Sequence, residues 1–149
     1  MKNNPFIFIG ILLLLAGCNN NSSNEPVKEE KKIDPFSLVI EGDKKIFQVD
    51  ESIQISANLK YIGEKDIELT PLPNITIVIR NYDGGNVIEE IDFNDSQTTM
   101  KKGEKFTQTL SNINLEPGKY DAFVQTSPFS VGSRQYSLSS APINFEVKN

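Results

Sequence analysis

Histidine and tryptophan are absent from this 149-residue sequence, and cysteine occurs once. Without histidine the chain lacks the commonest general base, the commonest metal ligand and the usual switch near neutral pH. A single cysteine allows neither an intrachain disulfide nor a thiolate metal cluster. Basic residues are few: 15 Lys and Arg face 20 Asp and Glu, a net charge of −5. Nucleic-acid binding rests on neutralising phosphates, and this chain has no basic block, so no nucleic-acid partner is expected. Several catalytic patterns are missing as well. There is no Gly-x-Ser-x-Gly, no Ser-x-x-Lys and no glycine-rich phosphate loop. Glu89 and Glu90 form the obvious carboxylate pair, but neighbours on a strand point to opposite faces and cannot flank one glycosidic bond. These gaps point away from an enzyme; no catalytic residue, cofactor or metal ligand is expected.

What is present begins at the N-terminus. Lys2 precedes an apolar run over residues 5–16. That run is too short for a membrane-spanning helix, which needs about 20 residues, and it suits the apolar region of a signal peptide. It ends in Leu15-Ala16-Gly17-Cys18. This tetrapeptide resembles the lipobox of bacterial lipoproteins at all four positions. The resemblance implies a signal peptide over residues 1–17, cleavage before Cys18 and a diacylglycerol on the Cys18 thiol. It also implies a chain anchored to the extracytoplasmic face of a cell membrane. Two acyl chains anchor stably where one binds only marginally.

Residues 19–26 contain no apolar side chain, and residues 27–34 mix Glu29, Glu30 and Asp34 with Lys28, Lys31 and Lys32. A stretch so polar cannot bury a core, so residues 18–34 are expected to be a lipidated cysteine and a disordered tether.

From residue 35 to 149 the apolar pattern has period two. Residues 52–61 are the clearest case: Ile53, Ile55, Ala57, Leu59 and Tyr61 face one way, and Gln54, Ser56, Asn58 and Lys60 the other. Further strands are expected at 36–40, 66–70, 75–80, 87–93, 106–110, 119–126 and 135–148. Turns fall at Gly63, at Asp83-Gly84-Gly85-Asn86 and at Lys101-Lys102-Gly103. Gln108 falls on the apolar face of its strand, which leaves that register open. Pro142 suggests an edge, a bulge or a switch between sheets. Seven to nine short strands with no convincing helix give an all-β class and an antiparallel β-sandwich.

Leu115-Glu116-Pro117-Gly118-Lys119-Tyr120 resembles the turn into the penultimate strand of immunoglobulin-like and fibronectin-III-like domains. The resemblance implies that Leu115 plugs one end of an immunoglobulin-like sandwich and that the Tyr120 hydroxyl bonds backbone upstream. The layout is also similar to the intracellular proteinase inhibitor (BsuPI)-like domain. Ile67-Glu68-Leu69, Ile77 to Ile79, Asp83-Gly84, Gly103-Glu104 and Leu115 to Gly118 carry that second likeness, although the tryptophans common in that family are missing. No inhibitory residue is carried over.

Three features could carry recognition. The segment 127–134 lies between the last two expected strands and sets Phe129, Val131 and Arg134 among small polar residues. Aromatic and Arg side chains are frequent interface anchors, and loops at sandwich ends are where such domains bind. The alternative for Phe129 is a plug for the hydrophobic end. Asp92, Asn94 and Asp95, with Asp43, Asp50 and Glu51 as a second set, offer oxygen ligands to calcium, but without the spacing of a calcium loop. Lys101, Lys102 and Lys105 form a charged turn of the kind that discourages edge pairing. The expected function is a membrane-anchored, non-enzymatic binding or structural module whose partner is another envelope protein or a wall polymer. A surface proteinase inhibitor and a calcium-stabilised adhesion domain are the alternatives.

Overall fold

The computed structural model describes residues 24–149 apart from 84, 86 and 92–97, and of 87–91 the backbone alone. The lipobox, Cys18 and the acidic cluster at 92–95 lie outside the described residues. Among the described residues thirteen strands follow one another: β1 (Val27–Ile33), β2 (Phe36–Gly42), β3 (Ile46–Gln48), β4 (Ile53–Tyr61), β5 (Ile67–Thr70), β6 (Ile75–Asn81) and β7 (Val87–Ile91). Then come β8 (Thr99–Met100), β9 (Lys105–Ile113), β10 (Gly118–Thr126), β11 (Phe129–Val131), β12 (Arg134–Tyr136) and β13 (Ile143–Lys148).

They form two facing sheets and a cap. One sheet has the order β1-β2-β4-β9, the other β3-β13-β10-β6-β7, and four short strands make a third sheet, β12-β11-β5-β8. All pairings are antiparallel except β13 with β3. The molecule is a β-sandwich, as the period-two pattern implies, and it is immunoglobulin-like, as the resemblance at Leu115 to Tyr120 implies.

Register explains the core. Leu38 lies opposite Leu59, and Leu59 opposite Phe106, so the inward residues of β2, β4 and β9 line one wall. On the other wall Ala122 lies between Ile79 and Ile143. These side chains join one buried cluster. Strands β4 and β13 hide every second residue, as a sheet with one solvated face requires, whereas β2 and β6, each between two neighbours, are buried at nearly every position.

Several expectations change. The stretch expected to be a disordered tether is ordered from Val27: β1 pairs along its whole length with β2, from Val27 opposite Gly42 to Ile33 opposite Phe36. The folded domain therefore starts about eight residues before residue 35. The cause is visible in the strand itself. Val27 is buried and Ile33 packs against the core, while Glu29 and Lys31 share their face of the strand and stay exposed. Such inward-facing charges are a known protection for an edge strand, and they conceal the strand from a reading of hydrophobicity. Strands β3, β8 and β11 are too short to show a period. The expected strand 135–148 divides at Pro142 into β12 and β13, which belong to different sheets, so the proline marks a switch.

Gln108 lies opposite Ala57 on the inner register of β9 and is only half-buried, since β9 is an edge strand. Beyond it the register slips: Ile55 faces Leu110, but Ile53 faces Ile113. The extra residue on β9 is accommodated by Asn112 at φ 60°, a left-handed conformation that Asn tolerates better than most side chains. The bulge turns Ile113 back into the core.

The expected tyrosine corner is present. The Tyr120 hydroxyl donates to the Glu116 carbonyl at 2.7 Å, and Leu115 is buried beside it. At the opposite pole Phe36 meets Tyr61, Phe129 and Tyr136 with ring centroids 5.1–5.8 Å apart. The third sheet closes that pole by delivering Leu69, Met100, Phe129 and Tyr136.

Candidate functional site

The segment 127–134 is a hairpin, not an irregular loop. Phe129 pairs with Tyr136 and Val131 with Arg134. Phe129 is 1% exposed, stacks on Tyr136 at 5.4 Å and meets Phe36 edge-on. It is a core residue that plugs the sandwich end, so its expected role as a surface anchor is corrected. Val131 is half-buried against the same cluster. Of the three, Arg134 alone is exposed, with its guanidinium 5.0 Å over the Tyr136 ring. The three side chains do not form one contact surface.

The acidic and basic loops are engaged in local contacts. The Glu51 carboxylate accepts from the Lys44 ammonium at 2.7 Å and from the Gln48 backbone N–H at 2.7 Å. Those bonds, Lys44 first, hold Glu51 below the ordinary glutamate pKa. Among the described residues no three His, Cys, Asp or Glu side chains converge on a point. At the charged turn, Lys102 reaches Glu64 at 2.8 Å, and Gly103 takes the positive φ that the turn needs. The register of β7 places Glu89 opposite Ile79 and Glu90 opposite Val78.

A different region gathers binding chemistry: the outer face of the five-stranded sheet. Arg80 and Asp121 are direct cross-strand partners. Arg80 donates from Nε to Asp121 Oδ1 at 3.0 Å and from Nη2 to Oδ2 at 2.7 Å. This fork, with the attraction of the carboxylate, raises the Arg80 pKa above its ordinary value. The same guanidinium lies 4.8 Å over the Phe123 ring, one step along β10 on the same face. Phe123 is half-buried under this cation.

Just beyond β6 comes Tyr82, among the described residues the most exposed of the large apolar side chains, at 61%. Its position is fixed twice. Its backbone N–H donates to the Lys119 carbonyl at 2.9 Å, and its hydroxyl bonds the Asn144 side-chain oxygen at 3.1 Å. The turn beyond it is set by Asn81, whose side-chain oxygen accepts from the Asp83 N–H at 2.8 Å and whose carbonyl accepts from the Gly85 N–H at 3.0 Å. Gly85 has φ 61°, as expected for a hairpin turn here; Gly84 and Asn86 lie outside the described residues.

Tyr82 divides two shallow clefts. On one side a depression of about 240 Å3 includes Arg80, Asn81 and Asp121. On the other a cleft of about 690 Å3 includes Lys45, Ile46, Lys119, Asn144 and Glu146. Lys45 and Asn144 also border a third, of about 530 Å3, beside the start of β1. The result is a trough across the sheet with an aromatic divider. Tyr82 carries no period-two signal, since it falls between the end of a strand and the turn at 83–86. The available signal was an aromatic residue immediately before that turn, where neither sheet can cover it.

No protein-family model matches the chain, and no match is found among curated proteins. Among solved structures, the chain is similar to a CARDB domain from Pyrococcus furiosus, crystallised in complex with di-metal ions. Identity is 12%, coverage 83% of this chain and 89% of that one, and the TM-score 0.49. It is also similar to part of a β-glucosidase from Listeria innocua in complex with laminaribiose, at 17% identity and TM-score 0.46 over 80% of this chain, but only 16% of that chain is spanned. A conserved hypothetical protein from Bacillus anthracis matches at 12% identity and TM-score 0.36, over 75% of this chain and 96% of that one.

Proposed function

We propose that this protein is a lipoprotein anchored through Cys18 to the extracytoplasmic face of a membrane. Its immunoglobulin-like domain is a non-enzymatic binding or structural module for another envelope component. The anchor is supported by Leu15-Ala16-Gly17-Cys18 at the end of a short apolar run. The observation that carries the binding role is the trough divided by Tyr82, an exposed aromatic side chain fixed through both its backbone and its hydroxyl. A pre-positioned surface ring loses little rotational freedom when it meets a partner, which favours recognition.

Cells expressing the full chain and supplied with a palmitate analogue test the anchor. The wild type incorporates label and sediments with membranes, whereas Cys18→Ser takes up none and keeps its unprocessed length. Label in the Cys18→Ser protein, or none in the wild type, overturns the anchored reading. Hydrolysis of a peptide, ester or glycoside by the purified chain overturns the non-enzymatic one.

A further inference from the structure

We propose that the trough at Tyr82 is a binding site for a neutral polysaccharide strand. The inference rests on the reading of this domain as a binding module, and not on its anchor. Three observations carry it. The first is shape. Two open clefts meet at one aromatic wall, and the larger continues into the cleft beside β1. A shallow trough with a divider fits a chain ligand lying across it better than a small molecule, which favours an enclosing pocket.

The second is charge. Lys45, Lys119 and Arg80 line the two clefts beside Tyr82, and so do Asp83, Glu146 and Asp121. Three cations face three anions, and Arg80 is already neutralised by Asp121 at 2.7 Å. A polyanion or polycation would gain on half of these groups and be repelled by the rest. A neutral ligand rich in hydroxyls can instead donate to the carboxylates and accept from the ammonium groups in the same trough.

The third is the ring itself. A sugar in a polysaccharide has a C–H face, which packs on an aromatic plane, and a hydroxylated rim, which needs hydrogen-bond partners. Tyr82 supplies the plane, and its hydroxyl is tied to Asn144 so that the plane keeps one orientation. Asn144 borders the larger cleft as a polar partner for the rim, while the Asn81 side-chain oxygen is taken up by the Asp83 N–H in the turn. An extended peptide could lie in the same trough, but it presents no comparable flat face and would draw its affinity from a free strand edge. The two clefts beside Tyr82 lie on the sheet face and reach an edge only at Lys45 and Ile46, by β3, while the third cleft borders the edge strand β1; a peptide competitor tests for a strand added there.

The test uses the full chain in detergent with four neutral hexasaccharides: β-1,4-linked N-acetylglucosamine, cellohexaose, laminarihexaose and maltohexaose. Heparin and an extended uncharged octapeptide serve as competitors of other chemistry, and calorimetry gives the affinities. At least one hexasaccharide is expected to bind. Tyr82→Ala should weaken it about tenfold or more, as for loss of an aromatic anchor. Tyr82→Phe keeps the plane and should stay within about threefold, the lower end of one lost hydrogen bond. Tyr82 is largely exposed, so both variants should melt at the wild-type temperature. Failure of all four sugars at millimolar concentration, binding indifferent to Tyr82→Ala, or tighter binding of heparin or the peptide overturns the proposal. None of these outcomes bears on the labelling of Cys18, so loss of the ligand class and loss of the anchor are told apart.

Discussion

Phe129 shows how one residue can carry two opposite readings in a sequence and only one in a fold. An aromatic side chain in a polar segment is a fair candidate for a surface anchor. Here it lies between Phe36 and Tyr136 and plugs the end of the sandwich. Phe129→Ala is therefore expected to lower stability in denaturant unfolding by about 3–5 kcal/mol, the usual cost of emptying a buried aromatic site. A loss below about 1 kcal/mol would return the residue to the surface. Carboxylates at the same scale predict an acid response. Glu51 is held below the ordinary value of 4.5 by Lys44 and Gln48, and Glu30 chiefly by the Ser37 hydroxyl. A carboxylate depressed in the folded state contributes stability above its unfolded pKa. That contribution is lost as pH falls through the lower folded value. Melting temperatures followed from pH 6 to pH 3 should drop less steeply for Glu51→Gln than for the wild type, with the wild-type advantage at pH 6 closing below about pH 5. Parallel curves would mean that the Lys44 contact is not kept in solution.

At the scale of elements, the long strands with one apolar face could be read from the sequence. Strand β4 is the best case, since all five residues expected to face inward are buried. The tyrosine corner could be read too, through the resemblance of Leu115 to Tyr120 to the turn of immunoglobulin-like domains. What escaped was structure whose signal lies in partners. β1 is a strand because β2 offers it an edge, and its own side chains say the reverse. Residues of β3 and β8 are ordered by neighbours far away in sequence, and β11 by the distant β5 as well as its hairpin partner β12. The trough escaped for the same reason. Arg80, Asp121, Phe123 and Tyr82 come from two strands that nothing in the linear order pairs. One prediction belongs here. A chain starting at residue 24 should melt with the full-length protein. A chain starting at residue 35, which lacks β1 and bares the edge of β2, should melt lower by roughly 5 °C or more and aggregate more readily. Equal melting of the two would make β1 dispensable and restore the tether.

For the whole molecule, the two facing sheets share one core and the third sheet closes a pole. One face of the five-stranded sheet is left to carry the trough, so binding there need not disturb packing. The short distance from Cys18 to β1 sets a scale of its own. Fully stretched, the chain from Cys18 to Val27 reaches about 30 Å, and a domain of this size is roughly 35–40 Å across. Had the ordered part begun at residue 35, the leash would be nearly twice as long. On the anchored reading, the pairing of β1 with β2 therefore acts as a depth gauge. The protein surveys only the layer adjoining the bilayer, roughly the thickness of one domain and its leash, and a polymer lying farther out must be brought inward before it is met.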